Sequence, residues 1–336
     1  MKIIVPMAGM GKRMRPHTLT VPKPLIPIAG KPIVQRLVED IAKVCDETID
    51  EVAFIIGDFG DEVEQTLIGI AEEIGAKGSI CYQREALGTA HAILCAEDYL
   101  KGKVVVAFAD TLFKANFKLD SDQDGIIWTS QVEDPSAFGV VKLGNGGTVE
   151  AFVEKPEEFI SDQAIIGIYY FKDGEYLRSE LQYLIDNNVR IKGGEFGLTD
   201  ALENMNNKGT SFSIDTVDEW LDCGNKNATV YTNQRVLEFI KESNSSAANA
   251  SLSNAQIIEP CYIGEGVVIE NSTVGPHVSV GPGTKIVDAK IQNSIIQSNS
   301  VITNAELSNS MLGNFVIFSG KSNDSSIGDY SQLNLN

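Results

Sequence analysis

Short apolar runs alternate with amphipathic stretches over the first two-thirds of the chain. Ile3–Val5, Glu51–Ile56, Ser79–Tyr82, Lys103–Phe108, Gly125–Ser130 and Ile165–Phe171 are rich in β-branched and aromatic residues and read as strands. Between them, Ile33–Val44 and Glu62–Ile74 carry apolar residues three and four apart, the spacing that lays one apolar stripe along a helix. This alternation predicts an α/β fold, a Rossmann-like, mainly parallel sheet with helices on both faces. Ligands of such sheets bind beyond the carboxyl ends of the strands. The glycine turn after Val5 and Asp110 after Val104–Phe108 both fall there.

The pattern changes near residue 228. Ala228–Glu242 is helical in period, and Ser243–Asn249 is a polar linker. Beyond it, apolar-Gly pairs recur at Ile263-Gly264, Val274-Gly275, Val280-Gly281, Leu312-Gly313 and Ile327-Gly328. A six-residue apolar step runs through Val268, Val274, Val280 and Ile286, then slips between Asn293 and Ile317. Hexapeptide repeats of this kind predict a left-handed β-helix, in which each coil buries its apolar positions against the next. The expected division is therefore an α/β domain over 1–228, a helix and linker over 229–249, and a β-helix over 250–336.

Charge sharpens the picture. The chain carries a formal net charge of −19, yet Lys2, Lys12, Arg13, Arg15, Lys23, Lys31 and Arg36 all precede the first acid, Glu39. An acidic protein makes a poor bulk partner for nucleic acid or an anionic membrane. A local reversal of sign around Gly9-Met10-Gly11 suits a small polyanion such as a nucleoside triphosphate. The five cysteines lack any CxxC spacing or Cys/His cluster, so reduced thiols rather than zinc are expected. No apolar stretch is long enough to span a membrane, and Pro6 and Gly9 break the first apolar run, unlike a signal peptide. A cytoplasmic protein is expected.

Gly9-Met10-Gly11-Lys12-Arg13-Met14 fits neither standard phosphate motif. A dinucleotide fingerprint needs glycine where Met14 stands, and a Walker A loop needs glycine at Pro6 and a hydroxyl at Arg13. Lys23 follows, held between Pro22 and Pro24, where the backbone is stiff. Together these residues resemble the N-terminal signature of the sugar nucleotidyltransferases, a G-x-G-T-R-[LM] turn followed by P-K-x-x-x-P. Gly9, Gly11, Arg13, Met14, Pro22, Lys23 and Pro27 match, and Lys12 replaces the usual Thr. Further blocks follow in order: Gln83 with Glu85–Ala90, Asp110 (after Ala109 rather than Gly), Phe138–Val141, Glu154-Lys155-Pro156, Gly167–Tyr169, Leu198–Asp200 and Trp220–Gly224 (before Asn225 rather than Thr).

The resemblance implies the nucleotide-diphospho-sugar transferase fold and a nucleotidyltransferase that joins a nucleoside triphosphate to a sugar 1-phosphate. It implies nucleotide contacts from Gly9, Gly11, Lys12, Gln83, Leu87 and Gly88, and sugar-phosphate contacts from Gly139, Glu154 and Lys155. Arg13, Lys23 and Lys155 become the catalytic cations, while Asp110 and Asp222 seat Mg²⁺. In the pyrimidine-using members a Gln amide meets the base, so Gln83 favours dTTP or UTP, with glucose 1-phosphate as acceptor. A mannose-1-phosphate guanylyltransferase-like enzyme, a bifunctional nucleotidyltransferase/acetyltransferase and a non-catalytic subunit of the same fold are the alternatives. The acetyltransferase reading would need His277 as base, and an exposed corner is the expectation for that residue. On structural grounds alone Gly88-Thr89-Ala90 would be a helix entry capped by Thr89, and Thr199 or Asp200 is read as a helix cap rather than a catalytic group. The coil is read as an assembly element of a homo-oligomer.

Overall fold

The computed structural model describes residues 1–144, 146–191, 193–242 and 250–335, so the expected linker at 243–249 lies outside the described residues. The chain divides into two compact units, Met1–Gly9 with Leu37–Trp220, and Met10–Arg36 with Leu221–Asn336. The cation-rich segment after Gly9 thus groups with the β-helix.

The first unit is built on a nine-stranded sheet. Its parallel half runs Val104–Ala107, Lys2–Pro6, Glu51–Ile56 and Lys77–Tyr82, in that spatial order. The first three are mostly apolar, as strands covered on both faces must be. The chain moves outward from Lys2–Pro6 and then returns to place Val104–Ala107 on its other side. That reversal is the switch point at which such sheets leave a crevice for ligands.

The other half adds antiparallel pairs, giving a parallel-rich mixed sheet of the Rossmann-like kind expected. Gln163–Phe171 runs against Val104–Ala107 and against Gly125–Gln131. Gly139–Leu143 and Val149–Glu154 form a hairpin beside it, and Phe212–Thr216 closes the far side, parallel to Gly125–Gln131. A register shift between Ile165 and Tyr169 centres on Gly167, whose φ of +85° suits a bulge. Helices α1 (Ile33–Val44), α2 (Asp61–Glu73), α3 (Thr89–Leu94), α4 (Gly174–Asp186), α5 (Leu198–Asn207) and α6 (Lys226–Ile240) lie outside the coil. Leu177, Leu181 and Leu184 of α4 share one core with Ala201, Leu202 and Met205 of α5 and with the sheet residues Val104, Val106 and Phe171. Phe212 meets Phe152 and Phe171 edge-on at 5.5 and 6.2 Å, the geometry aromatic quadrupoles prefer.

The C-terminal residues wind as a parallel β-helix. Val268 pairs with Lys285, Lys285 with Val301, Val301 with Ile317 and Ile317 with Gln332, so successive coils hold 17, 16, 16 and 15 residues. Three hexapeptides would take about 18. The shortfall explains the slipping step: inward residues Ile269, Val274, Val280, Ile286, Ile291 and Ile296 follow one another at five or six positions. Tight corners make this possible. Asn254, Asn271, Asp288 and Asn304 all have positive φ, as do Asn293 and Asn309 at the next corner, and Asn and Asp tolerate that region best among residues with a side chain. The amide of Asn254 donates to Asn271 at 2.9 Å, tying corner to corner. Buried hydroxyls stitch the coils: Ser300 donates to Gly313 O at 3.0 Å and accepts from Val316 N at 3.0 Å.

His277 departs from expectation. It sits at a corner with φ +62°, but its side chain is only 18% exposed and its Nε2 lies 2.6 Å from Glu238 Oε1 on α6. None of the five cysteines, all among the described residues, is in a disulfide. Burial pushes the Cys45 and Cys261 thiols up to about 12, so both are inert at neutral pH. Among the described residues, no helix is long and apolar enough to cross a membrane.

Candidate active site

In the first unit, the residues singled out in sequence collect at three places. The first is the turn after Lys77–Tyr82. Gln83 is half-buried; its backbone N–H donates to Ile56 O at 2.9 Å, and its side-chain Nε2 points to Gly88 O at 3.3 Å and His91 Nδ1 at 3.2 Å. The amide nitrogen is thereby occupied. Gly88 has φ +112°, and a Cβ there would stand 2.4 Å from the carbonyl oxygen of Phe196. Only glycine fits, because two backbone bonds clamp the segment: Phe196 N donates to Leu87 O at 2.8 Å, and Ala90 N donates to Phe196 O at 3.0 Å.

Thr89 does not cap α3. Its Oγ1 accepts from Leu198 N at 2.9 Å and so caps the neighbouring helix α5. Thr199 and Asp200 consequently lie inside the first turn of α5, where neither is the cap. Phe196 and His91 complete this place, and sequence reasoning missed both. Phe196 acts through its backbone, which leaves no trace in residue type.

The second place is the carboxyl end of Val104–Ala107, at the switch point. Asp110 stands there, half-buried. Ala109 is 3% exposed and lies outside the left-handed region, so alanine takes the usual glycine position without backbone strain.

The third is the hairpin. Gly139 and Glu154 are register partners, and a Cβ on Gly139 would stand 3.0 Å from Glu154 Oε2. Glycine here leaves room for the carboxylate to fold over the strand. Lys155 is exposed, with φ +45° and Nζ 3.7 Å from Glu154 Oε1. Its backbone N–H donates to Phe138 O at 3.1 Å, which pins the strained residue. The Glu154 charge adds to burial in pushing the Tyr169 hydroxyl upward. Trp220 forms a wall at this place, edge-on to Phe138 at 4.9 Å, with Nε1 donating to Thr111 Oγ1 at 2.8 Å.

Gly9 ends the first segment of this unit, and a Cβ there would meet nothing within 4 Å, so no neighbour in the protein demands glycine.

The second unit holds the remaining residues. Gly11 has φ +55°, and a Cβ would stand 3.0 Å from Lys23 Cβ and 3.1 Å from Thr18 Cγ2, so the turn is packed against its own continuation. Lys12 and Arg13 follow in an exposed 3₁₀ turn over Lys12–Met14, anchored by the buried Met14 beneath them. Lys23 opens a second 3₁₀ turn, Lys23–Leu25.

Arg13 and Asp222 converge on one glycine. A Cβ on Gly224 would meet Asp222 Oδ1 at 2.9 Å and an Arg13 terminal nitrogen at 3.0 Å. Asp222 Oδ1 accepts from Gly224 N at 2.9 Å, and its carbonyl accepts from Thr232 Oγ1 at 2.9 Å. Asn225 caps α6, accepting from Ala228 N at 3.0 Å, which gives its departure from the usual Thr a structural purpose.

Residues 2–238 match the nucleotidyl transferase family. The chain belongs to that family. This transferase is 30% identical over 319 residues to a Streptomyces antibioticus protein named glucose-1-phosphate thymidylyltransferase, covering 88% of this chain and 86% of that one. It is 31% identical to the Haloferax volcanii low-salt glycan biosynthesis nucleotidyltransferase Agl11, covering 88% and 87%. Against the bifunctional protein GlmU of Methanococcus maripaludis it is 30% identical over 80% of this chain, spanning 62% of that relative. A Bacillus anthracis crystal structure, solved with sucrose and bearing the provisional name glucose-1-phosphate thymidylyltransferase, superposes with a TM-score of 0.58. At 24% identity over 69% of this chain and 93% of that one, it speaks for the fold alone. The transferase is an enzyme.

Proposed function

We propose that the transferase moves a nucleotidyl group from dTTP or UTP to glucose 1-phosphate, with Mg²⁺, and releases pyrophosphate. The observation that carries the reading is the hairpin pair: an acceptor carboxylate, Glu154, folded over Gly139 and followed by the exposed Lys155. A carboxylate for sugar hydroxyls beside a cation for phosphate is what a sugar 1-phosphate needs. The names of the Streptomyces antibioticus and Haloferax volcanii relatives point to the same substrate class.

A sugar-phosphate oxygen attacks the α-phosphorus, a P–O bond forms, the bond to the β-phosphate oxygen breaks, and pyrophosphate leaves with the negative charge. Both reactants are anions, so positioning and charge neutralisation dominate the barrier. In this reading Arg13, with Lys12 beside it, neutralises the departing pyrophosphate, and Lys23 and Lys155 hold the reacting phosphates. Gly9 and Gly11 let the backbone approach them. Gln83 Oε1 accepts from the imide N–H of thymine or uracil, while Leu87 and Gly88 form the floor under the ring.

Asp110 and Asp222 would hold Mg²⁺. Both are half-buried carboxylates, the hard donors Mg²⁺ prefers, and its other ligands would be water and phosphate oxygens. Bound there, the ion would withdraw charge from the reacting phosphate. Among the described residues, no group of three or more His, Cys, Asp or Glu side chains is placed to hold a metal by itself. We place the chemistry in residues 1–228 and the assembly role in 250–336.

Pyrophosphate release tests the reading, across dTTP, UTP, CTP, GTP and ATP with glucose 1-phosphate and then mannose 1-phosphate. Turnover with a pyrimidine nucleotide and glucose 1-phosphate, lost in Asp110→Ala, is expected. Turnover with GTP and mannose 1-phosphate alone would overturn it.

A further inference from the structure

The second unit places the segment carrying Gly11, Lys12, Arg13 and Lys23 directly on the end of the β-helix. His17 is 2% exposed, with Nε2 3.1 Å from Ser326 Oγ in the last coil. Three residues on, Thr20 Oγ1 donates to Asp329 Oδ2 at 2.7 Å. Just before these anchors, Pro16 lies so close to the coil that a Cβ on Gly328 would stand 2.9 Å from its Cβ. From the anchored turn the path runs straight to the cations. Thr18 Oγ1 donates to the carbonyl of Gly11 at 2.9 Å, and Gly11 packs against Thr18 and the Cβ of Lys23.

A second tether holds the far end of the same segment. Asn233 of α6 is fully buried, and its Oδ1 accepts both from Ala29 N at 2.9 Å and from Ser279 Oγ of the coil at 2.7 Å. At Gly30, φ is +83° and a Cβ would lie 2.2 Å from the Tyr262 ring, so coil and segment interlock there too.

We propose that the last coil of the β-helix is a positioning device for nucleotidyl transfer: Ser326 and Asp329 hold the turn His17–Thr20, and Thr18 relays that hold to Gly11, Lys23 and Arg13. Ser326, Asp329, His17, Thr18 and Thr20 are positioning residues, acting through Gly11, Lys23 and Arg13. The inference rests on the reading of Arg13 and Lys23 as phosphate-holding groups. A loop aimed less accurately loses transition-state neutralisation before it loses ground-state binding, so turnover falls while sugar-phosphate affinity stays.

The test uses the full chain. Thr20→Val and Ser326→Ala each remove one hydroxyl while keeping much of the side-chain volume, and each is assayed by steady-state pyrophosphate release. Both are expected to lower kcat about tenfold with KM for the sugar 1-phosphate unchanged. Thr20→Ser, which keeps the bond to Asp329, is expected to restore it. In an Arg13→Lys background the same substitutions are expected to add little, because the group they aim is already altered. Wild-type kcat in both single variants would overturn the proposal. So would an undiminished loss in the Arg13→Lys background, since that marks general destabilisation. If Arg13→Lys itself turns over normally, the assignment of Arg13 fails instead, and the result separates the two.

Discussion

Acidification should loosen the contact between the N-terminal turn and the last coil through one residue, His17. Burial, the dominant effect, lowers its pKa from 6.5 to about 4; the charge of Asp329 opposes this and that of Lys226 adds to it. Its Nδ1 is buried without a partner, so the folded protein holds the ring neutral and gains nothing by protonating it. The sign follows from linkage. The unfolded chain takes up its proton near the ordinary value, the folded chain only near 4, so the stability contribution is complete above about pH 6.5 and drains away as pH falls toward 4. Integrated over the window from 6.5 to about 4, the loss is about 3 kcal/mol, of which about 2 kcal/mol is gone by pH 5. The assay is urea unfolding followed by circular dichroism at pH 7, 6 and 5, for the wild type and His17→Gln. The variant has no titrating ring, so its stability should fall by about 2 kcal/mol less between pH 7 and pH 5. Parallel curves for the two proteins would refute the reasoning.

Gly88→Ala places a Cβ 2.4 Å from the Phe196 carbonyl at a backbone angle few other residues adopt. The displaced turn should raise KM for the nucleotide about tenfold or more, a change visible in initial-rate kinetics, with sugar-phosphate KM little changed. Glu154→Gln removes the charge over Gly139 while keeping the shape. Competition between glucose and mannose 1-phosphates should then show discrimination reduced about tenfold, with a smaller effect on kcat.

Much of the first unit was legible because burial on both faces forces β-branched runs. The helix Ile33–Val44 begins and ends where its apolar period does, and Glu51–Ile56 matches to the residue. Strand direction was not legible: nothing in Gln163–Phe171 distinguishes an antiparallel partner of Val104–Ala107 from a parallel one. The coil was readable from its apolar-glycine pairs, but its slip became intelligible only with the corner asparagines in their left-handed conformation. At the site, a charged residue after an apolar strand, such as Asp110, can be picked out by type and place. The carbonyl of Phe196 cannot, because any residue supplies one. Thr89 was visible as a cap, yet the helix it caps is folded back from more than a hundred positions away. His277 looked like a corner residue and is one, but its partner Glu238 belongs to a helix that precedes the coil.

The anchoring of His17 also has a consequence in time. It is separated from Ser326 by 309 residues, so during synthesis the turn emerges long before its partner. At about 5–20 residues per second that wait is roughly 15–60 s on the ribosome. A chain that stops before the last coil is made carries every cation of the turn and neither Ser326 nor Asp329 to hold it. Premature termination would therefore leave a protein with an intact-looking N-terminal half whose turn has never been set in place.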